Sequence, residues 1–533
     1  MYIRQPNLRV QDNFGYLFGY AGNRDMDDFL RRSILDDPGI AAAGAVTSAY
    51  ARELTNARDF FRKKFSSFDT VKLSEWYQLI ANRIRFNLFE VSSDFDVCLT
   101  FEAMNNRGKP LSDLEKLKSR FLYLAGLLAG KEKDDEKRKQ ALSGYREHIN
   151  SHWKVVYEML GWRADNVLDD DKFLNLVWLL RFPEKIGKSR DHLFNEEFIP
   201  SKIIQSNNSW RAISQFVHDL AAIAPSWVLI NAPDECDALL TAGKIKRRPD
   251  NEAISWIARI NRLDSSAFLP LITAAMVHFQ NNKITDTDFA KFCKAVERHI
   301  FIVFGLAERR SHTGRNLYLG KAAKLYEDAS VLQQLVLEID EDTNSKFSID
   351  AFFDSVKLRQ QSGEKKGFYA WDELPVVLFE YETDLHNKRF SGNNCKVSWV
   401  EWKRGDLAET VEHIYPQTAT DEYWIKRFET LADDKKHLLT HSLGNLLLLS
   451  RRKNAQLQND PYEDKAYKGD HCYQCGSFSE MAVASDWKEW TPDAICLRTD
   501  ALLKFIGGRW EVPSWNEASE KVLEQVRTPA TAS

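Results

Sequence analysis

The stretch VEHIYPQ, residues 411–417, sets a carboxylate beside a histidine and places a proline two residues after Ile414. The tripeptide Glu-His-Ile occurs a second time, at 147–149. That copy runs on into NSHWKVVYEML, which is apolar at helical spacing and has no strand, no asparagine pair and no basic helix beside it. It reads as structural. The copy at 412–414 is followed by HSLGNLLLLSRRKN, residues 441–454. The order there is a strand ending in Glu-His, a loop, Asn445, an apolar strand, and a basic helix that Asn454 opens. Neighbouring residues on a strand point to opposite faces, so Glu412 can hold an ion while His413 works on water.

Such a set suits phosphodiester hydrolysis. A base that takes a proton from water near neutral pH is best supplied by histidine, which assigns that part to His413. A hard divalent cation, Mg²⁺ or Mn²⁺, prefers oxygen, which Glu412 and the Asn454 side chain supply. Asn445 is expected to fix the loop that carries His413 and is counted with His413 and Asn454 as catalytic. Arg451, Arg452 and Lys453 put three positive charges beside the site for phosphate. Lys465 and His441 are further candidates for nucleic-acid contact.

The bulk properties bound the rest. At 533 residues the chain exceeds one ordinary core, and about two to four domains are expected. With 44% hydrophobic and 28% charged residues it falls in the soluble globular class. A net charge of −4 gives no global drive toward nucleic acid, so binding must come from a local basic patch. No apolar run approaches the ~18 residues of a membrane span, and the N-terminus has no basic-then-apolar leader pattern. The seven cysteines are mostly scattered singly, which suggests reduced thiols in a cytoplasmic protein.

Helical periodicity dominates residues 10–80 and 150–390, as in KFLNLVWLLRF (172–182) and SSAFLPLITAAMVHF (265–279). Between them, IRFNLFEV (84–91) reads as a strand and FDVCLTFEAMN (95–105) as a helix. In LSDLEKLKSRFLYLAGLLAG, Ser112 and Glu115 form a capping box. The charged stretch GKEKDDEKRKQ (130–140) is a solvated face. After the loop-like NKRFSGNNCK (387–396) the pattern changes: VSWVEWK and LLLLS read as short strands with few long helices around them. The expected architecture is therefore mainly α, with helical N-terminal and middle regions and a C-terminal α+β nuclease domain. Its expected divisions are 1–150, 151–390, 395–515 and a tail at 516–533.

These motifs resemble known ones. VEHIYPQ with HSLGNLLLLS and Asn454 looks like the HNH, or His-Me finger, module, whose fold is a ββα-metal finger and which also occurs in RNA-guided nucleases. The closer resemblance is to the C-terminal nuclease domain of GmrSD-type, modification-dependent (type IV) restriction endonucleases. The later string NDPYEDKAY, and Trp490, Ile495 and Arg498 in SDWKEWTPDAICLRTDALL, match the same domain. In the N-terminal half, FEAMNNRGKPLSDLEKLKSRFL (101–122) resembles that family's N-terminal motif. By that match Asn105, Arg107, Gly108 and Lys118 are candidates for a nucleotide or phosphate site. The Tyr-Gln-Arg and Asp-Gly-Gln-Gln-Arg segments that precede this motif in the family have no counterpart here. Either that part is a separate polypeptide, or the gene is truncated, or this lineage has dispensed with it; a partner subunit completing the domain is the favoured expectation, and with it any nucleotide binding, while an oligomer remains open.

The resemblance implies a metal-dependent endonuclease that cuts foreign, phage or modified DNA in antiviral defence, with no membrane partner. The alternative is an inactive nucleotide- or DNA-binding scaffold of a defence complex, and a third reading is an RNA-cutting nuclease. HCYQC (471–475) has zinc-like spacing but no second CxxC to complete four ligands, so it reads as a loop with free thiols. ERRSHTGRN (308–316) reads as a solvated basic turn.

Overall fold

The computed structural model describes residues 24–37, 49–85, 111–163, 166–189, 191–205, 208–263, 265–307, 314–361, 367–389, 399, 411–449 and 451–527. The described chain is mainly α, as the periodicity predicts, and falls into two compact units. One comprises residues 1–254, 267–289 and 316–331; the other comprises 255–266, 290–315 and 332–533.

The first unit is helix packed on helix. Its α1 (Asp113–Ala129) starts at the expected capping box, with Ser112 Oγ accepting from the Glu115 amide at 3.2 Å and the Glu115 carboxylate accepting from the Ser112 amide at 3.0 Å. Then come α2 (Asp135–Leu160), α3 (Asp170–Arg181) and α4 (Ser209–Asn231). Phe121 of α1 meets Trp153 of α2 and Phe216 of α4 edge-on, a favourable arrangement of ring quadrupoles in the core. The sequence suggested no span of membrane length, yet α4 has the length and apolarity for one. Its most apolar window is 72% buried, as for a core helix. The Glu147-His148-Ile149 copy lies on α2: Ile149 is buried, Glu147 is exposed, and His148 Nε2 meets Ser214 Oγ at 3.0 Å.

The second unit draws one core from both sides of residue 390. Phe352, Trp371, Leu374 and Val377 pack with Val411, Leu446, Leu448, Leu503 and Trp510. Its elements include α5 (Leu374–Arg389), β1 (Val411–His413), β2 (Leu446–Leu448), α6 (Arg451–Leu457), α7 (Tyr462–Tyr467), α8 (Phe478–Asp486), α9 (Pro492–Trp510) and α10 (Trp515–Val526). The region after 390 holds few long helices among its described residues, the longest being the 19-residue α9, opened by Thr491 and Pro492. The tail expected at 516–533 needs correction. Residues 516–526 are no tail, because α10 buries Trp515, Ala518, Val522 and Leu523 in the core just described. The predicted strand in VSWVEWK has only Trp399 among the described residues. Residues 86–91 of the predicted strand, the predicted helix 95–105, most of 308–316 and residues 528–533 lie outside the described residues.

One buried carboxylate joins α5 to α8. Glu382 accepts from the Phe478 and Ser479 amides at 2.7 and 2.6 Å and from the Ser479 hydroxyl at 2.6 Å. These amides open α8 and have no partner within the helix, and a carboxylate also suits the positive end of the helix dipole. Glu382→Ala should therefore lower unfolding stability by about 3 kcal/mol, since it strips a charged acceptor from buried donors. Urea denaturation measures this, and a loss below about 0.5 kcal/mol would mean that the contact does not hold α8.

Candidate active site

Two three-residue strands are too short to fix their own register. They pair antiparallel, with Glu412 opposite Leu447 and His413 opposite Leu446. The apolar run of β2 alternates between two cores: Leu446 and Leu448 enter the one described above, while Leu447 and Leu449 pack with Ile414, Tyr415, Trp424 and Trp490. The turn before β2 is seated on α9. Arg498 Nη1 donates to the carbonyls of Gly444 and Leu446 at 2.6 and 2.8 Å, and the Gly444 amide donates to Thr499 Oγ1 at 3.0 Å. A Cβ at position 444 would collide with the Ile495 carbonyl and Thr499, so only glycine allows this approach.

Asn445 completes the frame. Its Nδ2 donates to the Tyr415 and Thr440 carbonyls at 2.8 and 2.9 Å. Its Oδ1 accepts from the Tyr415 amide at 2.7 Å and from Trp490 Nε1 at 3.0 Å. All four hydrogen-bonding positions of the amide are thus used, and the residue is fully buried. Asn445 holds the segment after His413 and does not line the cavity, so its geometry is that of a positioning group rather than a catalytic one.

Beside the strand end lies a cavity of about 530 Å³, lined by Tyr369, Glu412, His413, Gln417, Asn454 and Gln458 among others. The His413 ring is set 4.6 Å from the Tyr369 ring. Its Nε2 lies 3.2 Å from His441 Nδ1, and its Nδ1 lies 3.3 Å from Gln417 Nε2. Burial, then the neighbouring His441 and Lys465, lower the pKa of His413 to about 3, so the imidazole is neutral at physiological pH. Glu412 is 4% exposed. Its Oε1 accepts from Lys465 Nζ at 2.5 Å and from the Tyr473 hydroxyl at 3.3 Å. Burial raises its pKa, against the opposing pull of Lys465 and Tyr473.

The basic candidates are not deployed as the sequence suggests. Lys465 was expected at the nucleic acid but is fully buried beneath Glu412, where it also donates to the His413 and Ile414 carbonyls at 3.1 and 3.3 Å. Lys453 is held in an ion pair with Glu480 and donates to the Cys472 carbonyl at 3.1 Å. His441 is buried against His413 and is not among the described residues lining the cavity. Only the backbone of Arg451 and Arg452, on α6, lies within the description. Asn454 does line the cavity, but from within α6 rather than as its opening residue, and its Nδ2 donates to the Val411 carbonyl at 3.4 Å. In the first unit, Lys118 lies on α1 with its ammonium 5.4 Å from the centre of the Tyr157 ring, and burial lowers its pKa. Asn105, Arg107 and Gly108 lie outside the described residues.

Among the described residues no three His, Cys, Asp or Glu side chains gather to hold an ion by themselves. Glu412 and Asn454 nonetheless bring two oxygen donors to one cavity. Mg²⁺ is commonly held by one or two protein oxygens, with water and phosphate completing its octahedron, so this donor set fits such an ion. Tyr369, Gln417 and Tyr473 were not singled out from the sequence. Gln417 closes the quoted VEHIYPQ, so its signal was at hand. Tyr473 sat inside the zinc-like HCYQC, and Tyr369 carried no motif.

Burying His413 in its neutral form ties stability to pH. The unfolded chain takes up a proton at this residue below about pH 6.5 while the folded chain does not until about pH 3. Stability is therefore lost as pH falls through that window, by up to about 1.4 kcal/mol per unit. In EDTA, moving from pH 7.5 to 5 should cost wild type about 2 kcal/mol more than His413→Gln, read from denaturation midpoints. Equal losses would show that His413 is not buried in its neutral form.

Residues 353–505 match the family model "GmrSD restriction endonucleases, C-terminal domain". No curated protein and no solved structure matches the chain.

Proposed function

We propose, from the premise that this chain is a GmrSD-type protein carrying that family's C-terminal domain, that residues 411–457 form the HNH finger of a DNA endonuclease. The observation that carries the reading is the shared cavity, onto which a buried neutral histidine, a carboxylate and an asparagine amide all open. The pairing of β1 with β2 and the helix α6 that follows support the reading, with two short helices, Glu422–Phe428 and Asp433–Thr440, set between the strands.

In this reading Glu412 and Asn454 would hold Mg²⁺ or Mn²⁺. The bound ion would offset the charge that develops on the phosphoryl group and the leaving oxygen. His413 takes a proton from the attacking water. Its low basicity is no obstacle, because the phosphodiester brings a negative charge beside the ring and favours the protonated form. Lys465 keeps Glu412 in place, and Asn445 keeps His413 at the strand end. Tyr369 limits the ring's freedom to turn. The target, foreign and in particular phage or modified DNA, is part of the same proposal, as are the cytoplasmic setting and a partner subunit that supplies the rest of the nucleotide site around Lys118.

One observation favours a second reading. The Glu412 carboxylate is already engaged by Lys465, which leaves it less charge to offer an ion. A finger that binds DNA without cutting, as the scaffold of a defence complex, would tolerate that pairing.

Incubating wild type and His413→Ala with plain and phage-modified DNA and Mg²⁺ or Mn²⁺, with and without candidate partner proteins, separates the two. Loss of the base should slow cutting about 10²- to 10⁴-fold while the far-UV spectrum and melting point remain near wild type, and EDTA should stop cutting altogether. Equal cutting by both proteins would remove His413 from the mechanism. No cutting by folded wild type in any mixture would favour the scaffold.

A further inference from the structure

Two contacts of His413 bear on where its proton sits. Gln417 Nε2 lies 3.3 Å from His413 Nδ1, and with the amide turned this way it donates to a lone pair on Nδ1. The amide can equally turn its oxygen to an Nδ1–H, so the choice falls to the other side of the ring. There Nε2 faces His441 Nδ1 at 3.2 Å. A hydrogen bond from Nε2–H requires that His441 Nδ1 accept, which puts the His441 proton on its own Nε2. The cavity agrees with this polarity: Gln417 lines it and His441 does not.

His441 is held as a fixed acceptor would need to be. Its carbonyl accepts from the Phe368 amide at 3.0 Å, and its amide donates to the His437 carbonyl at 3.3 Å. Gly367, at φ 54°, packs so closely on the His441 carbonyl that a Cβ there would lie 2.7 Å from its oxygen. That left-handed conformation and that gap both demand glycine. The next residues carry Tyr369, whose ring packs on His413 and, at 6.1 Å, on His441. The segment 367–369 thus fixes both imidazoles.

We infer that His441 is a positioning residue for the nuclease reaction: by accepting from Nε2 it holds His413 in the Nε2–H tautomer and leaves Nδ1 as the base facing the cavity. The inference deepens the endonuclease reading and rests on it for its catalytic meaning. In the step itself Gln417 releases Nδ1, an O–H bond of the attacking water breaks and an Nδ1–H bond forms on His413, as the water oxygen bonds to phosphorus and the 3′ oxygen leaves with the bonding pair and takes a proton from solvent. The imidazolium so formed shares its Nε2–H with His441, which stabilises the charge. His441 therefore serves the base and not the nucleic acid.

The test uses the full chain in two readouts. The first needs no catalysis: long-range ¹H–¹⁵N spectra of ¹⁵N-histidine-labelled protein at pH 7.5 without metal, with the His413 signals identified by their loss in His413→Gln. An Nε2–H pattern is expected in wild type and a mixed or Nδ1–H pattern in His441→Phe. An Nδ1–H pattern in wild type, or an unchanged pattern in His441→Phe, would overturn the inference even if the protein never cuts. The second readout is cutting. His441→Phe should lower kcat about 10- to 100-fold with KM for DNA unchanged, and His441→Asn, whose side-chain oxygen can accept from Nε2–H, should recover most of it. A raised KM with kcat intact would return His441 to the DNA surface, and full activity in His441→Phe would reduce it to packing; either result overturns the assignment. Absence of cutting by wild type would count against the endonuclease reading alone, because the tautomer is measured separately.

Discussion

A single buried amide, Asn445, holds the strand end in place. Two strands of three residues bury little surface between them and cannot set a register alone. Asn445 bonds both the amide and the carbonyl of Tyr415, the second residue after His413, and ties the same side chain to Trp490. Arg498 and the tight seat of Gly444 on α9 anchor the other side of the turn. The small sheet is thus a clamp built from distant polar groups, with apolar residues packed on both its faces. Losing any of these partners would leave a buried polar group unpaired, a cost of roughly 1–3 kcal/mol.

Charges are buried around the site in pairs. Lys465 meets Glu412, and Lys453 meets Glu480, which also caps α8. Buried ion pairs rarely add much net stability, because desolvation offsets the attraction. Their effect here is geometric. Lys465 bonds the Glu412 carboxylate and two successive backbone carbonyls, so the strand end cannot shift without exposing a lysine to an apolar interior. The same burial keeps His413 neutral. Burial thus both fixes the carboxylate and keeps the imidazole neutral.

Much of this was legible in the chain. The helical character followed from periodicity, the capping box at Ser112 from its spacing, and the strand at Leu446–Leu448 from a short apolar run after a glycine. The gathering of Glu412, His413 and Asn454 at one cavity was readable from their order along the sequence. The resemblance to the GmrSD nuclease domain rested on the same residues, and the family match extends farther back than the sequence divisions suggested, to residue 353. That extension has a physical counterpart in the core, where Trp371 and Val377 pack with Leu446 and Leu448.

The sequence by itself determined the helical character and which side chains of 411–454 are candidates for chemistry, because both depend on neighbours a few residues away. Only the tertiary structure decided what each polar group is for. Lys465 sits in a run, YEDKAY, that reads as solvated, yet it is buried under a carboxylate 53 residues away. His441 looks like a surface candidate but packs against His413, and Tyr369 joins them from a stretch with no motif. Asn445, read as catalytic, spends all four of its hydrogen bonds on the frame. Burial and hydrogen-bond partners arise from contacts far apart in the chain, and local pattern does not encode them.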